Sequence, residues 1–225
     1  MENYGMKEIF TCNIIYYINI YIIMNNWIIL LTTAVNNVNN TMKYADYRKE
    51  LYNYQILQWL KRTNYTIVVV ESSGYDFPDI VNERLHKVIF KFDKELASSS
   101  QYEAQSILYA LNSIKNTDFY DNCTHILKVT GRYFLENLEQ HLNNQPQDKD
   151  LYLQKHRNDS QNWQNSEYFG IKKELFPLFL DSVKNIGFME NCLWNFSVNN
   201  KSYCHIGYFN NNIRRGGDHL LIKNL

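Results

Sequence analysis

The chain has 225 residues, enough for one α/β domain and too few for a second of ordinary size. Hydrophobic residues make up 45% and charged ones 20%, so the chain buries a core and is not a disordered segment. Lys+Arg and Asp+Glu both number 23, and without a basic excess it is not built to hold nucleic acid through phosphates.

Residues 9–23 are apolar but interrupted by Asn13 and Asn19. The run is shorter than the ~20 residues of a membrane span and lacks a basic leader and a small-residue cleavage site. It reads as an N-terminal extension (residues 1–23), either upstream sequence before a start at Met24 or a weak anchor making membrane contact. The domain proper is then expected over 24–225. Trp27–Val35 is an unbroken apolar run, the pattern of a buried parallel strand. Asp46–Lys61 carries Tyr47, Leu51, Tyr54, Leu57 and Leu60 at three- and four-residue spacing, an amphipathic helix. Thr66–Val70 and Val88–Phe92 read as strands. Ser98-Ser99-Ser100 opens a helix through Ile114, with Ser100 and Glu103 spaced as a capping box. Thr124–Val129 is a further strand, and Leu135–Leu142 is helical in pattern. Strands at Leu151–Gln154 and Tyr168–Ile171 and helices at Lys173–Lys184 and Met189–Val198 complete the order. Alternating strands and helices imply an α/β fold with a mainly parallel central sheet and helices on both faces.

In such sheets ligands bind beyond the carboxyl ends of the strands. Glu71-Ser72-Ser73-Gly74-Tyr75-Asp76 follows one strand and offers a carboxylate, two hydroxyls and an aromatic face, the groups a nucleoside requires. Lys128 and Arg132 flank Thr130-Gly131 at the end of another. A cation at a strand end is costly unless it meets an anion, and two suggest a diphosphate, with Gly131 admitting its close approach. The competing arrangement has Lys128 reaching solvent and Arg132 paired with Glu136. Ser100 and its neighbours present helix-terminal N–H groups to an anion, or simply cap the helix. Glu190, a lone acid in an apolar stretch opening a helix, is a candidate general base or a carboxylate favoured by the helix dipole.

Phosphate-binding GxxxxGK[ST] and GxGxxG loops, the GxSxG elbow and HExxH are all absent. Cys12, Cys123, Cys192 and Cys204 form no CxxC pair and are expected as reduced, mostly buried thiols. Of the six histidines, His219 stands out, because the glycine pair before it would let it fold over a site.

Together, Glu71–Asp76, the Ser100–Ser113 helix and His125-Ile-Leu-Lys-Val-Thr-Gly-Arg-Tyr133 resemble GT-A-type glycosyltransferases of bacterial capsule or surface-polysaccharide loci and large DNA viruses. Leu30-Leu-Thr-Thr-Ala-Val35, Arg48-x-x-x-Tyr52 and Met189-Glu190 fit the same order, and the likeness spans about residues 27–198. The resemblance implies a single GT-A-like, Rossmann-related domain that moves a hexose or deoxyhexose from a UDP- or GDP-linked donor to a glycan or other hydroxyl acceptor, with inversion. Glu190, Lys128 and Arg132 would be catalytic. Thr33, Ala34, Val35, Glu71, Ser72, Ser73, Gly74, Tyr75, Ser100, Thr130 and Gly131 would hold the donor. It also implies a divalent metal, Mn²⁺ or Mg²⁺, on an Asp-x-Asp that no strand end carries here; Asp148-Lys149-Asp150 lies in a hydrophilic loop. The place implied is cytoplasmic, of a host cell if the chain is viral. The alternative is a binding module that keeps the sheet without the chemistry.

Overall fold

The computed structural model describes residues 27–36, 45–93, 95–155 and 157–207, with two short strands at 213–214 and 221–222. The N-terminal extension, Met24, Cys12 and His219 lie outside these residues.

In chain order the elements are β1 (Trp27–Thr33), α1 (Ala45–Arg62), β2 (Thr66–Glu71), β3 (Leu85–Ile89), α2 (Ser99–Ile114), α3 (Asp118–Asn122) and β4 (His125–Thr130). Then come α4 (Leu138–Asn143), β5 (Leu151–Gln154), β6 (Arg157–Asn158), β7 (Trp163–Gln164), β8 (Tyr168–Lys172), α5 (Phe176–Ile186), α6 (Met189–Asn200) and β9 (Tyr203–Ile206). Ile213–Arg214 (β10) pairs with Leu221–Ile222 (β11), and β6 with β7. The main sheet has seven strands in the order β3-β2-β1-β4-β8-β5-β9. Only β8 runs against its neighbours. The mainly parallel α/β fold is therefore as expected, and strand order reverses between β1 and β4, which opens a crevice at their carboxyl ends.

Apolar residues on both faces explain the unbroken runs. Ile28, Leu30, Val68, Val70 and Ile126 pack under α2, α5 and α6. Ile29, Leu31, Ile67, Val69, Leu127 and Val129 pack under α1 and α4. Side chains alternate along a strand, so β1 sends successive residues into opposite cores.

Some element ends differ from expectation. The third strand lies at Leu85–Ile89 rather than Val88–Phe92, because Leu85 and Val88 are its buried residues and pair with Ile67 and Val70. The helix after β4 starts at Leu138, since Tyr133, Phe134 and Leu135 enter the core ahead of it and Asn137 turns left-handed at φ 57°. A 3₁₀ turn over Lys173–Leu175 precedes α5, which starts with Pro177 in its first turn. Cys123 and Cys192 are buried free thiols, and burial pushes Cys123 up to about 11.

His125 stacks on Trp27 with ring centroids 4.9 Å apart. Its Nε2 lies 2.9 Å from the Lys149 carbonyl, so Nε2 donates, and Nδ1 accepts from Thr124 Oγ1 at 2.9 Å. Burial holds the ring below the usual histidine range. The unfolded chain thus takes up its proton first as pH falls. The stability from the neutral ring is present above about 6.5 and is lost below it, down to the folded value. Urea unfolding between pH 7 and pH 5 should show His125→Gln losing less stability than wild type over that interval. Equal losses would remove His125 from the acid sensitivity.

Candidate functional site

A cleft of about 960 Å³ opens at the carboxyl ends of β1, β2 and β4. Of the residues expected in a site, Thr33, Ala34, Ser72, Ser73, Ser100, Thr130, Arg132 and Glu190 line it. Val35, Glu71, Gly74, Tyr75, Lys128 and Gly131 do not, and each has a structural employment.

Lys128 differs most from expectation. Its side chain is fully buried on the α2 face of the sheet. Nζ lies 2.8 Å from Glu103 Oε1, and donates to the Ser166 carbonyl at 2.7 Å and to Thr130 Oγ1 at 3.1 Å. Three acceptors use the three protons of an ammonium, so none is left for a phosphate. The Phe169 ring lies 5.4 Å from Nζ and closes off the remaining side. Neither the expected diphosphate contact nor the solvent-reaching alternative is what Lys128 does; it is a cation under the cleft floor.

Glu103 is free to meet it because α2 is capped two residues earlier than expected. Ser98 is the N-cap and accepts from the Gln101 backbone N–H at 3.2 Å. Gln101 Oε1 in turn accepts from Ala97 N at 3.0 Å. The Ser100/Glu103 capping box is thus replaced by Ser98/Gln101. Ser100 Oγ instead accepts from Met189 N, tying α2 to the start of α6, and Glu103 Oε1 also accepts from Thr32 Oγ1 at 2.7 Å.

Glu71 is likewise turned inward. Fully buried, it accepts from the backbone N–H groups of Val35, Ser73 and Tyr75, each at 2.8 Å, and from Ser73 Oγ. Ser73 Oγ accepts from Asn36 N at 2.9 Å. One carboxylate therefore clamps the loops after β1 and β2, which is why it is not exposed to a nucleoside. Tyr75 turns from the cleft to pack edge-on against Phe77, ring centroids 5.0 Å apart. Gly131 makes room for protein rather than ligand: a Cβ there would stand 2.4 Å from Thr33 Cγ2. Its N–H bonds the Thr32 carbonyl at 2.8 Å and holds β4 against β1.

Arg132 and Glu190 both line the cleft. Arg132 is half-buried on the cleft wall, and its Nε is enclosed without an acceptor. Glu136 pairs with Arg62 at 3.0 Å, so the alternative Arg132–Glu136 pair does not form. Glu190, in the first turn of α6, accepts from Ser166 Oγ at 2.7 Å through one oxygen and has no partner on the other among the described residues. Ser166 thus joins Lys128 through its carbonyl and Glu190 through its hydroxyl.

Sequence reading misses Arg48, Lys91, Trp163, Ser166 and Glu167, all on the cleft wall. Arg48 Nη1 reaches the Ala34 carbonyl at 3.4 Å, from α1. Lys91 lays its stem over Gly74, whose φ of 88° and lack of a side chain leave that path open; a Cβ would stand 2.3 Å from Lys91 Cε. The Arg48-x-x-x-Tyr52 spacing is the one sequence signal that points to any of these residues. Asp148-Lys149-Asp150 lies beside His125 at the amino end of β4, the sheet edge away from the cleft.

No protein-family model and no curated protein sequence matches the chain. Several solved structures resemble it in part. A protein assigned as a nucleotide-diphospho-sugar transferase from Desulfovibrio desulfuricans aligns at a TM-score of 0.49 and 14% identity, over 80% of this chain and 79% of that one. A glycosyltransferase involved in glycosylation of the major capsid of PBCV-1 gives 0.49 and 5%, over 80% of each. A 4-diphosphocytidyl-2C-methyl-D-erythritol synthase from Anaerococcus prevotii gives 0.47 and 12%, over 82% and 89%. These likenesses do not fix a family, and the function rests on the site.

Removing one partner of a buried pair strands the other charge, whereas replacing both by apolar groups is often neutral. Glu103→Ala should cost about 3–5 kcal/mol in urea unfolding, while Glu103→Leu with Lys128→Met should restore most of it. A loss under about 1 kcal/mol for Glu103→Ala would mean the pair is not structural.

Proposed function

We propose that the chain is a nucleotide-sugar-dependent glycosyltransferase of GT-A type. One observation carries the reading: Glu190, with one oxygen unpartnered among the described residues, and Arg132, without a carboxylate partner among them, share one cleft at the strand-order reversal of a mainly parallel sheet. That is where open α/β sheets bind ligands.

In the proposed reaction, an acceptor hydroxyl attacks the anomeric carbon of the bound donor. The new C–O bond forms as the bond to the diphosphate breaks, and its electron pair leaves with the nucleoside diphosphate. The hydroxyl proton passes to Glu190, whose other oxygen is held by Ser166. Direct displacement inverts the anomeric centre. Thr33, Ala34, Ser72 and Ser73 form the wall nearest the β1 and β2 ends and are assigned to the nucleoside. Trp163 on the Glu190 side is assigned to the acceptor sugar, a hexose- or deoxyhexose-bearing glycan. Glycan assembly in a capsule or viral setting and a cytoplasmic site of action belong to the same proposal.

The test is release of nucleoside diphosphate from a panel of UDP- and GDP-hexoses, with and without acceptor glycans and Mn²⁺. Wild type should release it, and Glu190→Gln should lose on the order of 10²–10⁴-fold in rate while still binding the donor. Release by Glu190→Gln at the wild-type rate would remove Glu190 as base. Binding without release from any donor by wild type would leave the non-catalytic binding module, which the strand end without Asp-x-Asp favours.

A further inference from the structure

Among the described residues three cations line the cleft without a carboxylate partner: Arg48 from α1, Lys91 beyond β3 and Arg132 beyond β4. Among the described residues Lys91 makes no side-chain hydrogen bond, Arg48 makes one long bond to a carbonyl, and the Arg132 guanidinium lies over the Tyr133 ring, its Cζ 5.8 Å from the centroid. Three acids share the wall: Glu103, paired from below with Lys128; Glu190, accepting from Ser166; and Glu167. Among the described residues none of them forms an ion pair with Arg48, Lys91 or Arg132. Arg132 is the most telling of the three. A guanidinium is always charged, and an enclosed Nε–H without an acceptor carries a desolvation cost that an anion in the cleft would remove. Lys91 is exposed, with its stem lying over Gly74, and lines the cleft.

A metal site is the other way to neutralise a diphosphate, and the residues present do not fit one. The end of β4 offers Thr130, Gly131 and Arg132 where carboxylates would be required. Among the described residues no group of three or more His, Cys, Asp or Glu is assembled to hold a metal ion.

We infer that the chain binds the diphosphate of a nucleoside diphosphate directly on Arg132, with Lys91 and Arg48 flanking it, and without a divalent cation. This deepens the glycosyltransferase reading and rests on it for the identity of the donor. Arg132 supplies two parallel N–H donors in one plane, matched to the oxygens of one phosphate. Lys91 and Arg48 meet the remaining charge from the other rims.

Isothermal titration of the full chain with UDP, GDP and inorganic pyrophosphate, each in EDTA and again in Mn²⁺, tests the inference. At least one should bind in EDTA, with affinity changed less than about twofold by Mn²⁺. Arg132→Gln should weaken binding by about tenfold or more, the worth of one charge-assisted hydrogen bond. Lys91→Gln, at an exposed position that leaves the fold intact, should weaken it several-fold and flatten its salt dependence. Binding only with Mn²⁺, no binding by any of the three, or unchanged affinity in both variants would overturn the inference. The two proposals fail separately. Metal-free binding without sugar release from any donor would sink the glycosyltransferase reading and leave this one standing. Sugar release that requires Mn²⁺ would do the reverse.

Discussion

An ammonium taken wholly out of water must be matched, and Lys128 is matched by Glu103 at 2.8 Å. The cost of burying both charges is several kcal/mol per ion, recovered only where the remaining protons and lone pairs are also satisfied. The ammonium's protons and one carboxylate oxygen are satisfied here: Thr32 donates to Glu103 Oε1, while Thr130 and Ser166 accept from the ammonium. These residues come from β1, α2, β4 and the segment before β8. The pair therefore sets how α2 sits against the reversal between β1 and β4, and with it the floor of the cleft.

The consequence is a division of labour among charges. The buried cation is structural and the cations on the walls are free. Lys128 is linked to Glu190 through Ser166, whose carbonyl accepts from the ammonium and whose hydroxyl donates to the carboxylate. The Glu71 clamp does for the loops after β1 and β2 what the Lys128–Glu103 pair does for the floor. With Glu71 and Lys128 committed inside the protein, the cleft surface among the described residues holds serine and threonine hydroxyls, aromatic rings, the carboxylates of Glu103, Glu167 and Glu190, and three cations with no carboxylate pair. That composition suits a sugar nucleotide: hydroxyls for ribose, rings for base or sugar, guanidinium for phosphate.

Much of the fold was legible because a parallel sheet covered on both faces writes itself as unbroken apolar runs, as in β1, β2 and β4. Glu190 was noticed as a lone acid in an apolar stretch and Arg132 as one of two cations at a strand end, and both line the cleft. The partner of Lys128 was not, because Glu103 lies on a helix before β4 and its proximity is made only by packing. The serine triplet also offered two helix starts a couple of residues apart. The one chosen turned Glu103 from a cap into a counter-ion. Arg48 and Lys91 were hidden for a related reason: a charged residue on a helix or loop looks solvated until the crevice it borders is known. Glu71 shows the opposite limit. It was noticed for its position, but its four acceptor contacts depend on where the loops around it fold back.

A crystal structure with UDP or GDP, grown in EDTA, tests the central claim most directly. The account predicts diphosphate oxygens at hydrogen-bond distance from the Arg132 guanidinium, with Lys128 still on Glu103 and unreachable beneath them. A diphosphate seated on Lys128 Nζ, or an Arg132 side chain turned out of the cleft, would contradict it.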